Sequence, residues 1–246
     1  MSTSEMETTT TDVRKAGPRT PRPRLEVLDG LRLLAATYVV VFHFTAGDRG
    51  SWHAPSRDLF APVFHLAKYG WLGVELFFMI SGFVICLSGW GKSVRRFLVA
   101  RFVRLYPAYW AAIALTTIVL LVDQSRAHAL PWRQVLRNLT MTESFARVPG
   151  VDPSYWTLAV ELVFYLLVAV TLAWWGFTYR RVIAFCSVWL GLSLLDQFTD
   201  ASWYKLFVQP TYAPFFVAGI VLFLLHRFGP SRTLWALLGG SWFVAM

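Results

Sequence analysis

The sequence predicts an all-α fold, a polytopic transmembrane helix bundle of about seven helices, and three observations predict it. Hydrophobic residues make up 56% of the 246 and charged residues only 15%, with a mean hydropathy of +0.50. That is too apolar for one water-soluble core. The apolar residues fall into runs close to the roughly 20 needed to cross hydrocarbon. The basic residues, which give a net charge of +9, are spread between those runs rather than gathered on a polar domain. This pattern fits membrane orientation better than nucleic-acid binding, and no nucleic-acid partner is expected.

Residues 1–26 are rich in Ser, Thr, Pro and Arg without an apolar stretch, and predict a disordered tail. The first apolar run begins only at Val27 and lacks a small-residue cleavage site, so it predicts a retained anchor rather than a signal peptide. Further runs follow near 70–88, 107–122, 154–175, 182–198, 206–226 and 233–246. The transmembrane domain therefore covers 27–246. Its last run reaches Met246 at LLGGSWFVAM without a cap or basic anchor, which predicts an interrupted helix and a C-terminally incomplete domain. Arg14 to Arg32, Lys92 to Arg104, Arg180, Arg181, Arg227 and Arg232 all fall on one side if the tail is cytoplasmic. Most of the basic residues then face inward, so the expected location is the inner (plasma) membrane, multi-pass, with a cytoplasmic N-terminus.

Two connections carry their own signals. In the outer loop near 123–153, WRQVLRNLTM places Trp132, Val135, Leu136 and Leu139 at helical spacing, predicting a short helix at the interface. On the inner side, KSVRRFLVARFVRLYPAYW is a basic amphipathic stretch. Lipid-headgroup anchoring and binding of an anionic ligand are both open to it. Cys86 and Cys186 sit inside apolar runs without CxxC or Cys/His spacing, so they read as small core residues, and no metal site is expected.

Polar groups inside the runs are costly and mark candidate function. Arg32 and His43 are eleven residues apart on the first helix, which brings them within about 20° of one face and separates them by roughly 16 Å along the axis. His43 near the outer end, Glu75 on the second helix and Glu161 on the fourth are expected at similar depth, in the outer third of the bilayer. A histidine held by a carboxylate can serve as general base toward a hydroxyl; a structural interhelical hydrogen bond is the alternative. Arg32, Arg101 and Arg104 lie toward the inner surface, where guanidinium groups suit phosphate oxygens, and the i,i+3 spacing predicts one side for Arg101 and Arg104. The 16 Å between Arg32 and His43 is comparable to an extended pantetheine arm, which makes an acyl-CoA thioester a compatible ligand. For stabilising an oxyanion, Ser81, Asn138 and Tyr155 remain equivalent choices.

LDGLRLLAATYVVVFHF, GWLGVELFFMISGFVI, RRFLVARFVRLYPAYW, NLTM and WTLAVELVFYLL occur in an order that resembles the acyltransferase 3 family of bacterial membrane O-acyltransferases. The resemblance covers roughly residues 25–225 and includes the family's Arg-x10-His pattern at Arg32 and His43 and its Arg-x-x-Arg pattern at Arg101 and Arg104. It implies transfer of an acetyl or short acyl group from acyl-CoA, with no tightly bound cofactor, to a hydroxyl of a glycan or glycosylated natural product. It also implies that His43 is the essential catalytic residue and that Glu161 is functionally important, with Glu75 at the place of the family's acid before LFF. The family norm of about ten helices exceeds the seven read here. A truncated non-catalytic membrane subunit, or a transporter-like protein using the Pro-rich Gln209 to Pro214 break, is the rival reading.

Overall fold

The computed structural model describes residues 26–47, 52, 54–122, 131–143, 145, 146, 148–199 and 201–246, and these form helices and connecting turns without a strand. The tail expected over 1–26 lies outside the described residues except for Glu26. In chain order the helices are α1 (Glu26–Phe44), α2 (Ser56–Leu59), α3 (Ala61–Ala67), α4 (Leu72–Gly89), α5 (Val94–Val122), α6 (Trp132–Asn138), α7 (Trp156–Trp175), α8 (Tyr179–Leu195), α9 (Ser202–Val208), α10 (Ala213–Phe228) and α11 (Arg232–Ala245). Helices cover each of the seven apolar runs, with one interruption, and the short helix expected in WRQVLRNLTM is α6.

Five stretches among the described residues are long and apolar enough to cross a membrane: Glu26–Phe44, Ala61–Gly89, Val94–Val122, Pro153–Trp175 and Trp203–Phe228. The 17 residues of α8 and 14 of α11 reach only about 26 and 21 Å at 1.5 Å per residue. Helix α5 is longer than its apolar run predicts, because the basic stretch before Pro107 continues the same helix. The run at 206–226 is broken instead. Pro210 has no N–H to donate and pushes its predecessor out of the right-handed helical region. Gln209 accordingly turns left-handed at φ 52° and the chain restarts as α10.

Helices in lipid gain little from the hydrophobic effect against one another, so close packing must hold them together. The centre is the pair α4 and α10. A Cβ on Gly82 would stand 2.2 Å from the Phe216 carbonyl oxygen, and one on Gly219 would stand 1.9 Å from that of Met79. Below and above this crossing Phe78 meets Phe216, Phe83 meets Phe223 and Trp90 meets Phe228. The pairs ascend together along both chains, so the two helices run parallel. Phe164 of α7 stacks on Phe216 at 4.1 Å and on Trp189 of α8 at 5.7 Å, closing an aromatic core with buried Cys86 and Cys186. Gly176 and Gly229, at φ 65° and 84°, end α7 and α10 in backbone regions that other residues rarely adopt. Helix α1 packs mainly on α4, and α5 mainly on α7. Their remaining faces are largely apolar and exposed, as lipid contact requires.

The connection between α5 and α7 is fastened to α5 by side chains. Tyr109 donates to the Asn138 carbonyl at 2.7 Å, Tyr106 to that of Thr140 at 3.1 Å, and Trp110 to that of Leu139 at 3.0 Å. The Asn138 amide bonds the Gln134 carbonyl and receives the Val151 N–H. Inside this loop Glu143 is 3% exposed, and neither carboxylate oxygen has a hydrogen-bond partner among the described residues. Burial raises its pKa above the ordinary carboxylate range. The folded loop therefore binds a proton more readily than the open one, so its stability is full at low pH and declines as pH rises through the raised value. Amide exchange over 139–151 should speed up with pH beyond its chemical increase, and Glu143→Gln should flatten that dependence.

Candidate active site

One cavity of about 520 Å³ runs between α1, α4, α5 and α7. From α1 it is lined by Arg32, Val39, Phe42 and His43, and from α4 by Val74, Phe77, Phe78 and Ser81, with Trp71 just before that helix. Arg104 and Leu105 contribute from α5, and Trp156, Thr157, Leu158, Glu161 and Tyr165 from α7. The spacing argument for α1 is met: Arg32, Val39 and His43 share the face that looks into the cavity. Arg32 is paired with Asp29 at 3.8 Å.

The histidine is oriented by its own helix. Its Nδ1 lies 2.8 Å from the Val39 carbonyl oxygen. A carbonyl can only accept, so Nδ1 is the donor, and in the neutral ring Nε2 presents its lone pair. The expectation that a carboxylate would hold this ring is not met among the described residues. A backbone carbonyl does so instead, because α1 places that oxygen one turn below the ring.

Glu161 sits within a hydrogen-bonded group. Ser81 Oγ and Tyr165 Oη both donate to its Oε1, each at 2.5 Å, which leaves Oε2 without a partner among the described residues. The bond to Ser81 puts Glu161 level with the middle of α4, about 9 Å along that helix from Glu75. The common depth expected for the two acids therefore does not hold. Glu75 is half-buried and outside the cavity lining. Val74, Phe77, Phe78 and Ser81 recur at three- and four-residue steps toward the cavity, and Glu75 is turned about 100° from Val74.

The two arginines of α5 also part. Arg104 lines the cavity, whereas Arg101 is buried behind it. The guanidinium of Arg101 donates to Ser88 Oγ at 2.9 Å and lies over the Phe97 and Tyr165 rings at 5.9 and 5.7 Å. Residues three apart differ by about 60° around a helix, enough for one to reach the cavity and the other to reach behind Tyr165. Of the three oxyanion choices, Ser81 alone lines the cavity. Asn138 holds the loop between α5 and α7, and the Tyr155 hydroxyl pairs with Thr116.

The acyltransferase-domain profile matches residues 25–246, nearly the whole described chain. The chain belongs to the acyltransferase 3 family. Acyltransferase MdmB of Streptomyces mycarofaciens is 24% identical over 237 residues, 85% of this chain and 59% of that protein. Peptidoglycan O-acetyltransferase OatA of Listeria monocytogenes is 28% identical over 173 residues, 62% of this chain and 25% of that protein. Protein 2 in picA locus of Rhizobium radiobacter is 30% identical over 192 residues, covering 73% and 89%. This acyltransferase 3 chain thus spans 59% and 25% of the lengths of the first two. No solved structure matches it.

Within this acyltransferase 3 chain, sequence reasoning missed Tyr165, Trp71 and Trp156. Tyr165 was within reach, since it stands four residues after Glu161 and so one turn away on the same face. The two tryptophans carry no such signal, because exposed Trp is common at any membrane interface.

Proposed function

We propose that this protein is a membrane O-acyltransferase that moves an acetyl or short acyl group from acyl-CoA to a hydroxyl of a glycan or glycosylated natural product. One observation carries the reading: His43, whose Nδ1 is held by the Val39 carbonyl, lines the cavity that also holds Arg32 and Arg104. A base for a hydroxyl and cations for phosphates at one cavity suit a hydroxyl acceptor and an anionic thioester donor. Family membership and the relatives named as O-acetyltransferases support the same chemistry.

In the proposed reaction His43 Nε2 takes the acceptor's hydroxyl proton as the oxygen attacks the thioester carbonyl. The tetrahedral intermediate then expels the thiolate, which takes that proton back from His43 Nε2 as the C–S bond breaks, giving ester, free thiol and the regenerated base. Glu161, braced by Ser81 and Tyr165, assists from the cavity wall. Arg32 and Arg104 take the donor phosphates directly, and Arg101 supports Tyr165 from behind. The N-terminus and this arginine end lie on the cytoplasmic side of the inner membrane, where acyl-CoA is found.

The test is transfer from labelled acetyl-CoA by the full-length protein in lipid nanodiscs. Arg32→Ala and Arg104→Ala should each raise the donor KM about tenfold or more, the scale of a lost charge-assisted contact. Arg101→Ala should lower kcat while leaving donor KM nearly unchanged. Donor KM untouched by Arg32→Ala and Arg104→Ala would overturn the phosphate assignment.

A further inference from the structure

The outer mouth of the cavity has a feature that proton transfer and phosphate binding do not use. Trp71 and Trp156 are 47% and 40% exposed, and both line the cavity that contains His43. Trp52, Trp110, Trp132, Trp174, Trp175, Trp203, Trp235 and Trp242 are also exposed, but none of them lines it. Anchoring in the membrane interface, and for Trp52 and Trp110 hydrogen bonds to the Phe44 and Leu139 carbonyls, accounts for those eight and does not explain why Trp71 and Trp156 line one cavity.

The backbone before Trp71 and the ring of Trp156 are each fixed by a neighbour. Trp71 follows Gly70, where a Cβ would stand 2.5 Å from Phe42 Cβ and 2.4 Å from the Tyr38 carbonyl oxygen. That contact presses the start of α4 against the turn of α1 carrying Phe42 and His43. Trp156 packs against Tyr212 at 5.2 Å between ring centroids. Beside Trp156, the Thr157 hydroxyl donates to the Ser154 carbonyl at 3.0 Å, so its lone pairs remain to accept. The Ser154 hydroxyl has no partner among the described residues, and both residues line the cavity.

From this arrangement we infer that Trp71 and Trp156 form a saccharide-binding subsite that seats the acceptor ring beside His43. A pyranose presents a face of C–H groups, whose partial positive charge suits the negative face of an indole, while its rim of hydroxyls needs donors and acceptors such as Ser154 and Thr157. Rigid aromatic platforms achieve this with little loss of side-chain freedom. The inference rests on the proposed reading of the acceptor as a carbohydrate and adds which residues bind it.

The test measures binding without transfer, so that its failure is separable from failure of the acyltransferase reading. The full-length protein with His43→Ala, in nanodiscs and without acyl-CoA, is titrated with a soluble β-1,4-linked N-acetylglucosamine tetrasaccharide. Adding Trp71→Ala or Trp156→Ala should weaken binding about tenfold or more, the scale of losing a buried aromatic anchor. Trp71→Phe and Trp156→Phe should recover most of the loss, and Trp203→Ala, off the cavity, should change nothing. Absence of binding by the parent protein, equal binding by the Trp71→Ala and Trp156→Ala variants, or an equal loss with Trp203→Ala would overturn the subsite. Acyl transfer with unaffected tryptophan variants would leave the enzyme reading intact and remove only this inference.

Discussion

Replacing His43 by alanine is expected to lower the acyl-transfer rate by about 10² to 10⁴-fold, the range for loss of a positioned general base. The donor KM should stay near its wild-type value, because the phosphates are assigned to Arg32 and Arg104 at the other end of the cavity. His43→Gln makes a sharper comparison. Its amide nitrogen can still donate toward the Val39 carbonyl, but no atom of it can take up the acceptor's proton. It should therefore be as impaired as alanine, although it restores the polar contact. Single-turnover measurement of ester formation, with thermal unfolding in detergent as a control for folding, decides the matter. A His43→Gln protein with near-native turnover would remove His43 from proton transfer and return it to a structural role within α1.

The second large effect concerns assembly rather than chemistry. Gly219→Ala places a methyl group 1.9 Å from the Met79 carbonyl oxygen, and Gly82→Ala places one 2.2 Å from that of Phe216. Both obstacles are backbone, which no rotamer change can move aside. The parallel helices α4 and α10 would have to separate, loosening Phe78, Phe164 and Trp189 around Phe216. Overpacking of this kind costs on the order of 1–3 kcal/mol or more for each change. Gly239→Ala provides the control, since nothing stands within 4 Å of a Cβ at that point of α11. There the change should be neutral or stabilising by about 0.5–1 kcal/mol through helix propensity. Unfolding midpoints in detergent should therefore fall for the first two and hold or rise for the third. An unchanged midpoint for Gly219→Ala would mean that α4 and α10 do not meet at this crossing.

These two predictions draw on different levels of information. The prediction for His43 is readable in the chain, because a polar group in an apolar helix eleven residues from an arginine is unusual and the helical period places the two on one face. The weight on Gly219 is not readable. Its neighbours, Ala218 and Ile220, look the same whether the glycine meets a backbone carbonyl or lipid. Gly239 also sits in a largely apolar helix and meets nothing within 4 Å. Only the path of a second helix tells the two apart.

The acidic residues show the same division. Depth counted from helix starts treated Glu75 and Glu161 alike. The count could not include the rotation of α4, which aims Val74 and Phe78 at the cavity and Glu75 elsewhere, nor the bond from Ser81 that sets the level of Glu161. Arg101 and Arg104 were grouped by spacing. A difference of about 60° around the helix was enough to send one guanidinium behind Tyr165 and the other into the cavity.

By itself, then, the sequence determined the all-α membrane class, the approximate positions of most of its apolar helices and the α1 face from Arg32 to His43, all of which follow from composition and a period of 3.6 residues within single segments. The tertiary structure alone decided that Val39 rather than a carboxylate orients His43, that Tyr165 and Ser81 support Glu161, and that Trp71 and Trp156 line the same cavity. Each of those depends on how one helix is rotated and set against another. In lipid that setting is fixed by the close fit of small residues such as Gly82 and Gly219, and hydropathy along one segment does not record it.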